Sequence, residues 1–216
     1  MGYILYTMGE KELLIFDFDG TIADTKSVYY KVIYEGVKKF GYSYQDVDKI
    51  VDLGLSLKNV LKKLGLSSLS LWFLHKKIMK NVKKQADKVK KCKDVDAIKE
   101  LEDEKILVTN SLKEFVLPIL KHFRLQKEFK EIYGAEDFTD KAEFIESYLR
   151  KNKIKKENCY YIGDRAADVK TAKKVGCRSI IICGKCAWDS RKEILEEKPD
   201  FVLEDIKDLR KILNNI

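Results

Sequence analysis

Asp17 and Asp19 close the apolar run Leu13-Leu14-Ile15-Phe16 and are followed at once by Gly20 and Thr21. If the run is a strand, residues i and i+2 share a face, so both carboxylates leave it on the same side. Such a pair needs a compensating cation, which a bound divalent ion supplies. In unlike environments one carboxylate can stay ionised as a nucleophile while the other holds a proton for acid catalysis. Gly20 permits a sharp turn just beyond them. A strand ending in acidic residues before a Gly-Thr turn is also common without any catalytic role, so the other strand ends must decide. The stretch Glu104-Lys105-Ile106-Leu107-Val108 runs into Thr109, Asn110 and Ser111, a hydroxyl and an amide able to hydrogen-bond phosphate oxygens. Cys159-Tyr160-Tyr161-Ile162-Gly163 runs into Asp164, with Asp168 four residues on, one helical turn or a tight loop away.

The elements that must position these groups follow from periodicity. Ile106 to Val108 and Glu131 to Tyr133 read as strands alternating with helical stretches at Val95 to Glu102, Lys113 to Phe123 and the amphipathic segment opened by Lys141. That is the rhythm of a doubly wound parallel sheet, in which ligands bind at the carboxyl ends of the strands. Residues 22 to 108 separate the first two strand ends, far more than neighbouring parallel strands require. The gap reads as helices: Thr25 to Phe40, stopped by Gly41; Tyr44 to Leu53; Ser56 to Leu64 with Ser56 as N-cap; and a long one from Ser67 or Ser68 to about Lys90. The stretches 22–26 and 88–94 are candidate hinges.

In order, these residues resemble the haloacid dehalogenase superfamily, whose motifs are Asp-x-Asp-Gly-Thr, an apolar strand ending in Thr or Ser, a lysine at a helix N-terminus, and Gly-Asp-x-x-x-Asp. Lys198-Pro199-Asp200-Phe201-Val202-Leu203 and the helix after it resemble that family's closing strand and helix. The resemblance implies a Rossmann-like parallel α/β core of residues 1–21 and 91–216, with a small helical cap of residues 22–90 inserted as in the phosphoglycolate phosphatase and β-phosphoglucomutase branch. It implies Asp17 as nucleophile, forming an aspartyl phosphate, and Asp19 as general acid and base. Thr109, Asn110 and Lys141 would bind the phosphate, and Mg²⁺ would be held by Asp17, the Asp19 main-chain oxygen, Asp164 and Asp168. Leu53-Gly54-Leu55-Ser56-Leu57-Lys58 resembles the cap loop that selects substrate, with Gly54 and Lys58 the candidates. The implied function is a Mg²⁺-dependent phosphatase acting on a small phosphorylated metabolite, like phosphoglycolate phosphatase. Because Asp19 is retained, dehalogenation is disfavoured. The same core motifs also suit a phosphomutase of the β-phosphoglucomutase type.

Composition agrees with a folded enzyme. Of 216 residues, 36% are charged, 45% are hydrophobic and only two are proline, which excludes disordered and collagen-like classes. No signal peptide or stretch of membrane-spanning length is found, so a cytoplasmic protein with no membrane partner is expected, a monomer or homodimer. Five cysteines are expected as reduced structural thiols, including the tempting pair Cys183 and Cys186. The only histidines, His75 and His122, are far apart, which counts against histidine-based chemistry. The net charge of +8 raises a competing reading, because Lys76, Lys80, Lys84 and Lys88 would form one basic stripe on the long helix beside Trp72 and Phe73. A nucleic-acid-end phosphatase or nucleic-acid-binding protein would use such a stripe. A solvated lysine face is the commoner outcome, and nucleic acid is the less favoured partner.

Overall fold

The structure is a computed structural model and describes residues 12–51, 62 and 67–213. Six parallel strands form its sheet: β1 (Leu13–Phe16), β4 (Glu104–Val108), β5 (Glu131–Tyr133), β6 (Cys159–Gly163), β7 (Arg178–Ile182) and β8 (Phe201–Leu203). The order across it is β5-β4-β1-β6-β7-β8. From β1 the chain builds outward to one side through β4 and β5, then returns to fill the other through β6, β7 and β8. β1 therefore lies at the switch point, where the crevice outside the carboxyl ends is deepest.

All four residues of β1 are buried, as a central strand covered on both faces requires. Alternation sorts the strands. Leu14, Phe16, Leu107, Tyr160, Ile162 and Ile180 face one apolar cluster. Leu13, Ile15, Ile106, Val108 and Tyr161 face the other, under Ile145 and Leu149 of α5 (Lys141–Lys151) and Ala172 and Val175 of α6 (Ala166–Val175). The first cluster continues without a break into α1 (Lys26–Val37) through Val28, Tyr29 and Ile33. Helix α4 (Lys113–Phe123) covers the same face through Phe115 and Ile119.

The inserted segment enters and leaves through a short antiparallel ribbon, β2 (Ala23–Asp24) against β3 (Lys90–Lys91), and the Cys92 amide donates to Ile22 O just beyond it. The two stretches expected as hinges are thus laid side by side. Within the segment α1 packs on α2 (Tyr44–Val51) and on α3 (Ser68–Lys83). Gly36 allows the closest approach, since a Cβ there would stand 2.9 Å from Ile78 Cγ1. Helix α1 stops at Val37, a 3₁₀ turn covers Lys38–Phe40, and Gly41 takes φ +86°. Of the expected helix from Ser56 to Leu64, all but Lys62 lies outside the described residues, as do Gly54 and Lys58.

Two expectations are corrected. The long helix ends at Lys83 rather than near Lys90, because Lys90 and Lys91 are taken by pairing with the incoming strand and buried Val89 turns extended to feed it. Lys84 and Lys88 therefore leave the helix, and the stripe shortens to Lys76 and Lys80, with the Lys76 ammonium stacked 3.9 Å from the Trp72 ring. The stretch expected as a helix from Val95 to Glu102 is a 3₁₀ helix, Val95–Glu100.

Candidate active site

The ladder of β1 extends one residue past the strand, with the Asp17 amide donating to Ile162 O at 2.8 Å. The chain then turns tightly: the amides of Ile22 and Ala23 return to Phe18 O, and the Gly20 amide reaches Ala23 O. Gly20 adopts φ +75°, and a Cβ there would collide with the Asp164 carboxylate and stand 2.7 Å from Trp188 Cδ1. Glycine is therefore required twice at this position, for conformation and for clearance. The same holds for clearance at Gly163, where a Cβ would collide with Asp168.

The turn brings three buried carboxylates together. One oxygen each from Asp17, Asp164 and Asp168 lies within 4.8 Å of the others. Lys141, at the first position of α5, donates to Asp17 Oδ1 at 2.8 Å. Asp140 holds that helix start by capping the Glu143 amide. Lys141 also donates to Tyr161 Oη at 2.8 Å, and Tyr161 in turn donates to Asp168 Oδ1 at 3.2 Å. Asp168 Oδ2 accepts the amides of Asp164 and Arg165, which fixes the start of α6. Asp164 accepts from Thr21 Oγ1 at 3.2 Å and from the Trp188 amide at 2.7 Å.

Burial and mutual repulsion dominate the electrostatics. Burial, then the charge of Asp168, pushes Asp164 well above the usual carboxylate range. Asp168 is raised to about 6 by burial and by the charge of Asp17. Burial alone would lower the Lys141 ammonium, but the charges of Asp17 and Asp168 hold it above its ordinary value. One ammonium against three carboxylates leaves the cluster short of positive charge. Its donors are all hard oxygens, so the set fits a divalent cation such as Mg²⁺.

Asp19 stands two residues from Asp17 among hydroxyls. Thr25 Oγ1 donates to its Oδ1 at 2.6 Å, Ser111 Oγ donates to Oδ2 at 2.6 Å, and Thr109 Oγ1 lies 3.4 Å from Oδ2. Burial, then the charge of Asp17, raises Asp19 to about 6. Asn110 follows Thr109, half-buried, at the same strand end.

The structure thus gathers Asp17, Asp19, Thr109, Lys141, Asp164 and Asp168 at one crevice. Sequence reasoning missed Ser111, although its i, i+2 spacing from Thr109 placed both on one face. It also missed Tyr29, Thr25, Tyr161 and the loop residues Trp188 and Asp189. Asp189 pairs with Arg165 at 2.8 Å, and the Trp188 carbonyl accepts from Lys26 at the start of α1. No motif marks that loop. The buried Trp188 Nε1 has no hydrogen-bond partner among the described residues. The Cys92 thiol donates to Gly20 O at 3.4 Å, and the neighbouring Cys186 and burial push it well above the ordinary thiol range. All five cysteines are free.

Residues 14–182 match the model of the haloacid dehalogenase-like hydrolases. A protein of Caldanaerobacter subterraneus subsp. tengcongensis named "Putative pyrophosphatase PpaX" is 28% identical over 211 residues, covering 93% of each chain. A phosphoglycolate phosphatase of Vibrio parahaemolyticus is 26% identical over 110 residues, 50% of this chain and 47% of its own. The crystal structure of a hydrolase from Pseudomonas syringae superposes with a TM-score of 0.80 at 17% identity, covering 95% of this chain and 99% of that one, a likeness of fold.

Proposed function

The chain belongs to the haloacid dehalogenase-like hydrolases, and on that premise we propose that it is a Mg²⁺-dependent phosphatase of a small phosphorylated metabolite, with Asp17 as nucleophile. The observation that carries the reading is the pairing of Lys141 with Asp17 inside a buried carboxylate cluster, two residues before a second carboxyl group raised to about 6.

In this reading an Asp17 oxygen attacks phosphorus, the ester P–O bond breaks, and the leaving oxygen takes the proton held by Asp19. The Asp19 carboxylate then removes a proton from water, whose oxygen attacks the aspartyl phosphate and returns Asp17. In the same reading Lys141, the Thr109 hydroxyl and Asn110 bind the transferring oxygens, a role for Lys141 supported by the hydrogen bond to Tyr161 that holds its ammonium. Asp17, the Asp19 main-chain oxygen and Asp164 would hold Mg²⁺. Asp168, whose oxygens already serve two amides and Tyr161, would orient the set. The ion supplies neutralisation of charge on the phosphoryl oxygens.

In this reading α1, α2 and α3 serve as a cap over the crevice, a role supported by the contact of Tyr29 on α1 with Ser111 beyond the end of β4. The phosphoglycolate phosphatase of Vibrio parahaemolyticus, matched over 47% of its length, supports a phosphoglycolate-like monoester. A second reading, hydrolysis of inorganic pyrophosphate, is favoured by the relative that covers 93% of each chain. Phosphate release from sugar phosphates, phosphoglycolate, nucleotides, pyrophosphate and an aryl phosphate, with and without Mg²⁺ and beside Asp17→Asn, tests both. Metal-dependent release lost in Asp17→Asn supports the hydrolase and ranks its substrates, and an equal rate in Asp17→Asn sinks it.

A further inference from the structure

Tyr29 lies on the buried face of α1, and the chemistry above makes no use of it. Its hydroxyl stands 2.6 Å from Ser111 Oγ, which stands 2.6 Å from Asp19 Oδ2. A carboxylate oxygen only accepts, so the single Ser111 proton goes to Asp19 and the Ser111 oxygen is left to accept from Tyr29. Its ring is gripped edge-on by Phe115 and Trp188, with centroids 5.7 and 5.9 Å away. The hydroxyl is therefore placed by packing rather than by a search among rotamers. Burial, then the nearby Asp19 charge, pushes it well above the ordinary phenol range, so it remains a donor.

We infer that Tyr29 is a positioning residue for proton transfer: through Ser111 it holds Oδ2 of the Asp19 carboxyl group, while Thr25 holds Oδ1, so that the group is oriented toward the leaving oxygen. Without Tyr29 the Ser111 hydroxyl is free to turn, and the Asp19 carboxyl group loses its fixed short partner at Oδ2. Because Tyr29 belongs to the inserted helices and Ser111 to the loop between β4 and α4, the seating of α1 and the readiness of Asp19 become one event. The inference rests on the reading of Asp19 as the acid.

The test uses leaving groups. An alkyl phosphate needs its departing oxygen protonated, whereas an aryl phosphate releases a phenolate with little help. Tyr29→Phe keeps the ring and its packing. It is expected to lower kcat/KM, which reports the step that expels the leaving group, about tenfold on an alkyl phosphate and less than about twofold on an aryl phosphate. Ser111→Ala is expected to show the same preference for aryl esters, and adding Tyr29→Phe to it should cost no more than about a further twofold, since both act on one proton. Equal losses on the two esters, or additive losses in the double variant, overturn the inference while leaving the hydrolase reading intact. If the unaltered protein releases no phosphate from either ester, or Asp17→Asn matches it, the hydrolase reading fails and this inference with it.

Discussion

At the scale of single residues, the site separates groups that react from groups that hold them. Asp17→Asn is expected to lower kcat at least about 10⁴-fold, as for other covalent nucleophiles, with the far-ultraviolet circular dichroism unchanged. Thr109→Ala, which removes one neutral hydrogen bond, should cost roughly 10²-fold. The raised carboxyls also predict a pH dependence. Asp19 and Asp168 are each lifted to about 6 by burial, above the value of an unfolded aspartate. Between those values the folded state binds more protons than the unfolded one, so their contribution to stability falls as pH rises from about 4 through about 6. In chelator, the thermal midpoint should therefore decline over that interval, and Asp168→Asn should flatten the decline. A midpoint in that variant that tracks the unaltered protein at every pH counts against the assignment.

Secondary-structure elements place those residues, and they differ in how openly the sequence declares them. β1, α4 and β5 are legible from alternation and helical period, because each forms under local preference and burial that agree. Asp17, Asp164 and Lys141 are legible because each sits at the carboxyl end of a strand or the first turn of a helix. The end of α3 is not, since nothing in a run of lysines tells that Lys90 and Lys91 will be taken by a strand arriving from residue 23. The Trp188 loop is invisible for a related reason: its contribution is a backbone amide on Asp164, which any residue type could supply. Two element-scale predictions follow from the turn and the cap. Gly20→Ala should lose both activity and Mg²⁺-dependent thermal stabilisation, since φ +75° costs an alanine about 1 kcal/mol and its methyl would displace Asp164. Asp140→Ala should lower stability by about 1 kcal/mol, the usual worth of an N-cap, and loosen Lys141 one residue on, measured as a raised KM for phosphate esters.

Across the whole molecule, the carboxylate cluster could hold a metal ion, and with the Mg²⁺ proposed for it the ion and the fold would stabilise one another. An ion that binds only the folded state adds about 2.7 kcal/mol at a hundred times its dissociation constant. Mg²⁺ should raise the thermal midpoint of the unaltered protein and leave that of Asp164→Asn in place. Among the described residues no helix is long and apolar enough to cross a membrane. The site also joins stretches of chain that are remote from each other: Thr21 meets Asp164 across 143 residues, and Lys141 meets Asp17 across 124. During synthesis β1 emerges long before its β6 neighbour, which lies beyond the whole of α1 to α5 in the chain. Until then one edge of the central strand stands open to the wrong partner, and long-range parallel pairing of this kind is slow. The strand that carries Asp17 is thus a stretch the nascent chain must shield, and the carboxylate cluster can assemble only once β6 and the helix after it have come home.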